Sequence, residues 1–348
     1  MLFLLLASAF AAVPMTHRGT TYPRPEISGT AEILDGEDGF FRIHFARDGA
    51  DAVSGRDDDA NGLPDYVERV LAALEYGRTR YAEDGWRPAV RDTGLGGSDA
   101  LDVYLKGVDI NGYAYPLVDE DPAGGFACFI EVDSDLVTAG QVLESIVVHE
   151  LHHCIEFQYG LTDAWIHEGT ATAEQYDLVS DLALQLAVNV LWDERLGSPQ
   201  LPIDDRSGRY EYAAFSFFKF WSDTIGARPE FWESLATVDG YDGFAHAEQA
   251  AEDAGFSGFP EVFLAWQLHN AFACGRDDGQ HYLEDSLSCT SSAEVPYEAL
   301  QAGTSAFRSD HESAPFTTTF HDLPAGASEQ AVEAVSYTHL TLPTIYSV

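Results

Sequence analysis

The chain has 348 residues, of which 45% are hydrophobic and 12% aromatic, a composition typical of a folded globular protein. Its formal net charge is −40, and only two of its 18 basic residues are lysines. Such a surface repels phosphate backbones and anionic lipid, so the charge argues against nucleic-acid and membrane-surface partners. It favours bound cations.

The first 12 residues are almost wholly apolar (MLFLLLASAFAA) and contain the small-x-small pattern of a cleavage site. This pattern predicts a secretory signal peptide over 1–12, although its usual basic start is missing, and a buried strand is the alternative. Residues 13–39 are polar with scattered Pro and Gly, and we expect a lead-in or pro-like segment there. The signal peptide predicts a secreted protein.

Apolar periodicity along the chain predicts strands first and helices afterwards, an order typical of an α+β fold. The predicted strands are 40–45, 101–105 and 126–132. The predicted helices are 64–82, 139–159, one starting near 168, 176–194, 210–225 and 261–273.

An acidic segment before the first predicted helix has the spacing of a calcium-binding loop. Residues 57–68 (DDDANGLPDYVE) match D-x-D-x-N-G-x-x-D-x-x-E at every ligand position, with Gly62 at the sharp turn. No helix is predicted before this loop, so we expect a structural calcium ion rather than a sensor site. An acidic turn capping the helix is the alternative. The predicted calcium ligands are Asp57, Asp59, Asn61, the Leu63 carbonyl oxygen, Asp65 and Glu68.

The predicted helix over 139–159 contains the sequence HELHH, which matches H-E-x-x-H. Histidines four residues apart lie on one helix face and can converge on one metal ion. His149 and His153 are therefore predicted zinc ligands, and Glu150 is the predicted general base that takes a proton from water. An acidic helix whose histidines are satisfied by hydrogen bonds is the alternative.

A catalytic zinc site needs a third protein ligand, and the metzincin pattern that would supply it is absent here. The next predicted helix carries WIHEGTA at 165–171. Glu168 is the predicted third ligand, and a small residue after it would let two helices approach closely. His167 is the alternative ligand. Adjacent helical residues project about 100° apart, so only one of the two is expected to face the metal. Glu174 either orients a ligand histidine or is a solvated carboxylate.

H-E-x-x-H followed by W-x-x-E-G-x-A resembles the gluzincin type of zinc metallopeptidase. More narrowly, the chain resembles secreted bacterial metalloproteases that carry an EF-hand-like calcium loop before the H-E-x-x-H helix. The resemblance spans about residues 40–226. The interval between His153 and Glu168 is shorter than in thermolysin-like enzymes.

This resemblance implies a zincin-like α+β domain over 40–290. Its N-lobe (40–160) would hold a mixed sheet and the active-site helix, and its C-lobe (161–290) would be mainly helical. The edge strand of the sheet, expected at 126–132, would bind the substrate as an added β-strand.

Enzymes of this type place a tyrosine at the start of a later helix, where it stabilises the oxyanion. Tyr212 in RYEYAA (209–214) fits best and Tyr210 second, with core packing among nearby aromatics as the alternative.

The implied function is a secreted zinc-dependent endopeptidase that acts on protein or peptide substrates. A calcium-stabilised extracellular binding or surface protein with a structural or degenerate metal site is the main alternative. Glu150 argues against it, because a structural site needs no base. A zinc hydrolase that acts on another type of bond is a third possibility.

Four cysteines suit an oxidising compartment. Of three possible pairings, the most economical joins Cys128 to Cys154 and Cys274 to Cys289, with unpaired buried thiols as the alternative. Residues 291–334 are expected to begin a truncated C-terminal region. The last stretch, 335–348, has no carboxylate and resembles a translated sequencing adapter, so we expect it to be an artefact.

Overall fold

The structure is a computed structural model. It describes residues 22–272, apart from 93, 118–124, 137, 199–200 and 239–241, and three short strands further along the chain. The predicted signal peptide, the start of the lead-in segment and the pairing of Cys274 with Cys289 lie outside the described residues.

The described residues form an α+β fold in which the strands of a five-stranded sheet largely precede the helices. Its strands are β1 (Ala31–Asp35), β2 (Phe41–Ala46), β3 (Leu101–Lys106), β4 (Gly112–Pro116) and β5 (Cys128–Asp133). The helices are α1 (Asp65–Glu83), α2 (Val142–Glu156), α3 (Ala164–Leu178), α4 (Leu182–Gly197), α5 (Phe215–Thr224), α6 (Arg228–Glu233), α7 (Gly243–Asp253) and α8 (Phe259–Ala271). The strands β6 (Tyr297–Ala299), β7 (Phe320–Asp322) and β8 (Ile345–Ser347) pair in parallel as a second sheet.

The five-stranded sheet is mixed, with the order β1-β2-β3-β5-β4. The three central strands are parallel, and both outer strands are antiparallel to their neighbours. The central strands are largely buried because helices α1 and α2 contact one face, while Tyr22 and Ile27 of the lead-in segment pack against Tyr104 and Phe129 on the other.

The edge strand expected at 126–132 is in fact an inner strand. β5 lies between β3 and β4, and β4 forms the edge beside α2. The sequence GYAYP of β4 was missed because Gly and Pro disfavour strands. An edge position tolerates both, since Pro116 needs no second partner there.

Helix α1 is the platform on which α2 packs. Gly77 lies so close to α2 that an added Cβ would be 3.2 Å from side-chain carbons of Val148 and Leu151. The Tyr81 hydroxyl donates a hydrogen bond to the Val148 carbonyl oxygen at 2.8 Å. At the other end of α1, the Arg69 guanidinium contacts both carboxylate oxygens of Glu144, at 2.7 and 2.8 Å.

The predicted pairing of Cys128 with Cys154 is confirmed. The disulfide joins β5 to α2, and the two Cα atoms are 5.6 Å apart. Both residues are almost completely buried. The bond therefore ties the inner strand of the sheet to the helix that carries H-E-x-x-H.

Most predicted elements are confirmed to within a few residues, but one predicted helix is wrong. The chain leaves α3 at Leu178 and enters α4 at Leu182, so 176–194 is not one helix. β1, α6 and α7 were not predicted. Within the described residues, no helix is both long and apolar enough to cross a membrane.

We expect the double variant Cys128→Ala/Cys154→Ala to fold with lower stability. The disulfide closes a loop with a sequence separation of 26. Opening a loop of this length costs about 3 kcal/mol of unfolding free energy, because the unfolded chain gains conformational freedom. Urea denaturation of the double variant and the wild type measures the difference. Equal urea denaturation midpoints would contradict a disulfide between Cys128 and Cys154.

Candidate metal centre

Helices α2 and α3 pack side by side and bring three predicted ligands together. His149 and His153 lie one turn apart on α2, and Glu168 lies in the second turn of α3. Their relative exposures are only 2%, 8% and 7%. Of the described residues, these three form one of two groups whose side-chain atoms are close enough to hold a metal ion.

The three candidate ligand atoms form a nearly equilateral triangle. The Nε2 atoms of His149 and His153 are 3.2 Å apart, and Glu168 Oε2 lies 3.3 Å from the first and 3.4 Å from the second. Ligands of a tetrahedral zinc site, each about 2.0–2.1 Å from the ion, are separated by about 3.3–3.4 Å. The triangle therefore has the dimensions of one face of a zinc coordination tetrahedron.

Hydrogen bonds to the other ring nitrogens orient both histidines. His149 Nδ1 lies 3.1 Å from Gln175 Oε1, and His153 Nδ1 lies 2.8 Å from Glu156 Oε2. Both acceptors favour the tautomer with the proton on Nδ1. The Nε2 lone pairs then face each other and Glu168, an arrangement that requires a cation or a shared proton between them.

The charges around the triangle show the same requirement. Burial opposes ionisation of Glu168, but the neighbouring His153 and His149 outweigh it and lower its pKa to about 2. Burial also opposes charge on His153, yet the carboxylates of Glu168 and Glu156 outweigh it and raise its pKa well above the ordinary value. A metal ion would replace the proton that these groups otherwise hold.

The small residue after the third ligand, Gly169, has a different role from the one expected. An added Cβ at Gly169 would lie 2.9 Å from Ala214 Cβ and from the Phe218 ring. Gly169 therefore allows close packing of α3 against α5 and the turn before it, rather than against α2.

Glu150 is buried and packs against the edge strand β4. An added Cβ on Gly112 would lie 2.8 Å from Glu150 Cγ, so β4 can pass this closely only with glycine there. The carboxylate accepts a hydrogen bond from the Ala114 backbone. Burial raises the pKa of Glu150, and the histidine charges oppose this rise.

Tyr212 lies beside the triangle, whereas Tyr210 does not. The Tyr212 ring stacks on the His149 ring with centroids 6.1 Å apart, and its hydroxyl hydrogen-bonds to Glu168. Burial and nearby carboxylates raise the pKa of Tyr212 well above the ordinary value, so the hydroxyl stays a donor. The Tyr210 hydroxyl instead bonds to the carbonyl oxygens of Arg195 and Ser198.

The alternative third ligand, His167, belongs to a hydrogen-bonded cluster around Glu156. Its Nδ1 lies 2.8 Å from Glu156 Oε2, and its Nε2 accepts the Thr162 amide hydrogen at 3.2 Å. Glu156, His153 and His167 are the second candidate group for a metal ion. Their contacts of 2.8 Å are hydrogen-bond lengths and are shorter than the edge of a coordination tetrahedron.

Glu174 does not orient a ligand histidine. Its carboxylate is buried and accepts a hydrogen bond from Arg228 Nη1 at 2.7 Å. The residues that do orient the histidines, Gln175 and Glu156, were missed. Helical spacing could have found them, because Gln175 lies two turns after Glu168 and Glu156 lies one turn after His153.

In the predicted calcium loop, several polar side chains gather around Asn61. Its Nδ2 donates to Asp59 Oδ2 at 3.0 Å and to Glu68 Oε1 at 2.7 Å. The backbone amide of Asn61 donates to Asp57 Oδ1 at 3.2 Å. Gly62 has φ +90°, the left-handed conformation that glycine adopts freely.

Asp65 contacts other residues of this loop. Its Oδ1 accepts the Asp58 amide hydrogen at 2.9 Å, and its Oδ2 lies 3.4 Å from Arg56 Nε. The Leu63 amide donates to Asn61 Oδ1 at 2.7 Å, two residues before α1 begins.

No protein-family model matches the chain, and a comparison with characterised proteins gives no significant match. Its function must therefore be inferred from the geometry of its own residues.

We expect the purified protein to bind one equivalent of zinc through the triangle. Glu168→Gln and His153→Ala remove a ligand and should each abolish stoichiometric binding, measured by elemental analysis after dialysis. The matched control is His152→Phe on the same helix, because His152 does not face the triangle. Zinc retained by Glu168→Gln would contradict this ligand set.

Proposed function

We propose that the protein is a secreted zinc-dependent endopeptidase of the gluzincin type, with a zincin-like fold. The observation that carries the proposal is the ligand triangle, whose edges of 3.2–3.4 Å fit a tetrahedral zinc site. Glu150 directly follows His149 in the sequence. A structural site has no use for a carboxylate base beside an open coordination position.

His149, His153 and Glu168 would hold the ion. When bound, zinc supplies Lewis-acid polarisation of the attacking water and of the substrate carbonyl. Glu150 takes the proton from the attacking water and returns it to the leaving amine. Its burial suits both halves of this task, because a raised pKa makes the carboxylate a better base that can still release its proton.

The position of the edge strand β4 favours the proposal that the protein binds an extended peptide. β4 is the outer strand next to β5, and its backbone passes directly over Glu150 at Gly112 and Ala114. A substrate that adds to the outer edge of β4 as a further strand would lie near Glu150. The substrate strand would thus bind to β4 and not to 126–132.

Tyr212 is the proposed donor to the oxyanion. Its hydroxyl already reaches Glu168, and the phenol keeps its proton because burial and the carboxylates raise its pKa. A donor held beside the ligand triangle can bond to the negative oxygen that develops when the carbonyl is attacked.

Secretion is proposed from two independent features. The disulfide between Cys128 and Cys154 fits an oxidising compartment, and residues 1–12 have the pattern of a signal peptide.

We also propose a structural calcium ion in the loop 57–68. The carboxylates of Asp57, Asp59 and Glu68 each accept a hydrogen bond from Asn61, so their negative charges lie close together. A bound cation would offset their mutual repulsion. The loop leads directly into α1, the platform of α2. Calcium would therefore stabilise the helix on which the metal centre rests.

The decisive test of the activity is Glu150→Gln. We expect this variant to keep its zinc and to lose about 10²–10⁴-fold in cleavage of an unfolded protein substrate, because glutamine cannot accept the proton. 1,10-Phenanthroline should abolish wild-type activity. The matched control is Glu144→Gln, a carboxylate of the same helix that pairs with Arg69 and should leave cleavage unchanged.

The results of this test separate the candidate functions. Equal cleavage by wild type, Glu150→Gln and the chelator-treated sample would remove the zinc mechanism. Zinc binding without any hydrolysis would favour an extracellular binding protein with a structural metal.

Chelation of calcium should lower the melting temperature. A site saturated to 100 times its Kd contributes about 2.7 kcal/mol, which corresponds to a shift of several degrees. Calorimetry with and without EGTA measures this shift, and zinc content is checked afterwards. Asp57→Asn is the control, since EGTA should no longer change its melting temperature. An unchanged wild-type curve would contradict the calcium site.

A further inference from the structure

Glu156 is a buried carboxylate whose hydrogen-bond partners are three histidines. It ends α2, has 0% exposure, and accepts from His152 Nδ1 at 3.0 Å on Oε1. On Oε2 it accepts from His153 Nδ1 and His167 Nδ1, both at 2.8 Å. Burial opposes its ionisation, but the three histidines outweigh it and hold its pKa well below the ordinary value.

The two contacts on Oε2 link both helices of the metal centre. His153 is a ligand on α2, and His167 immediately precedes the ligand Glu168 on α3. The Thr162 amide donates to His167 Nε2 at 3.2 Å, which leaves the His167 proton on Nδ1, directed at Glu156. The ring packs against Trp232, with centroids 5.0 Å apart, so it has little freedom to turn away.

We propose that Glu156 is the positioning residue of the metal centre. One of its oxygens orients His153 and, through His167, sets the distance at which α3 presents Glu168. This proposal rests on the metal site of the proposed function. It assigns no chemistry to Glu156, because among the described residues its carboxylate accepts hydrogen bonds from histidine rings alone.

Glutamine at this position would break the arrangement without removing its bulk. Its amide has one acceptor oxygen and one NH₂ donor, whereas three histidine N–H groups must be accepted. At least one N–H group would then oppose the NH₂ group. If that group is on His153 or His167, the ring must turn or change its tautomer, and the ligand triangle loses its shape. If it is on His152, the other two rings keep an acceptor, but this acceptor has lost its negative charge and makes His153 a less basic ligand.

The matched pair of variants is His167→Phe and His152→Phe. Both histidines donate to Glu156 and both pack against aromatic rings, His167 on Trp232 and His152 on Trp86. Phenylalanine keeps a ring and removes the hydrogen bond to Glu156, and at position 167 it also removes the hydrogen bond from the Thr162 amide. Only His167 shares Oε2 with His153, so only His167→Phe should disturb the metal centre.

The experiment measures zinc affinity of the folded full-length chain by competition with a chromophoric chelator. We expect Glu156→Gln and His167→Phe to raise the zinc Kd about 10–100-fold, and His152→Phe to change it less than about threefold. The double variant Glu156→Gln/His167→Phe should bind about as weakly as Glu156→Gln alone, because both changes break one shared contact. The cobalt-loaded forms add a spectroscopic readout, and the visible bands of Glu156→Gln should depart from those of the wild type.

The outcomes distinguish this proposal from the metal site itself. If the wild type binds no zinc, or Glu168→Gln binds it equally well, the metal site is wrong. If the wild type binds zinc through Glu168 but Glu156→Gln has the same Kd and cobalt spectrum, Glu156 is not the positioning residue. If the losses of zinc affinity of the two single variants multiply in the double variant, the two changes do not act through one shared contact and the proposal is overturned. If Glu156→Gln does not fold, equal affinities of His167→Phe and His152→Phe would overturn the proposal.

Discussion

The structure depends on the convergence of three acceptor atoms at one buried point. Two histidine nitrogens and a carboxylate oxygen approach within 3.2–3.4 Å of one another, with their lone pairs turned inwards. Such a cluster is unfavourable without a cation or proton at its centre, because burial weakens the solvation that would offset the repulsion. The surrounding scaffold must therefore hold these groups in place before any ion binds.

Four features of the scaffold provide this support. Helix α1 supports α2 through close packing at Gly77, and the Cys128–Cys154 disulfide fixes α2 to β5. Buried acceptors, Glu156 and Gln175, hold the two imidazole rings from behind. Strand β4 then covers Glu150 closely enough that only glycine fits at position 112. Rigid support on every side is what a preorganised site requires.

Sequence patterns predicted well where strands and helices lie along the chain, but they predicted poorly which elements pack beside one another. The strands β2, β3 and β5 and the helices α1, α2 and α8 were found from periodicity, because burial of one face imposes a spacing on nearby residues. The edge strand was misplaced, because order within a sheet depends on pairing between distant segments. Gly169 was correctly marked as a close-packing position but was assigned to the wrong helix pair for the same reason.

The candidate ligand pair His149 and His153 could be read from the sequence, because a helix places residues four apart on one face. The sequence also favoured the Cys128–Cys154 pairing as the most economical of three, and it indicated the turn at Gly62. Only the tertiary structure shows that Glu168 rather than His167 lies in the triangle, and that Tyr212 rather than Tyr210 lies beside it. It also shows that Gln175 and Glu156, and not Glu174, contact the two histidines. In each case both candidates have suitable chemistry, and the choice depends on how α2, α3 and the turn before α5 pack together. That packing is set by long-range contacts, which local spacing does not encode.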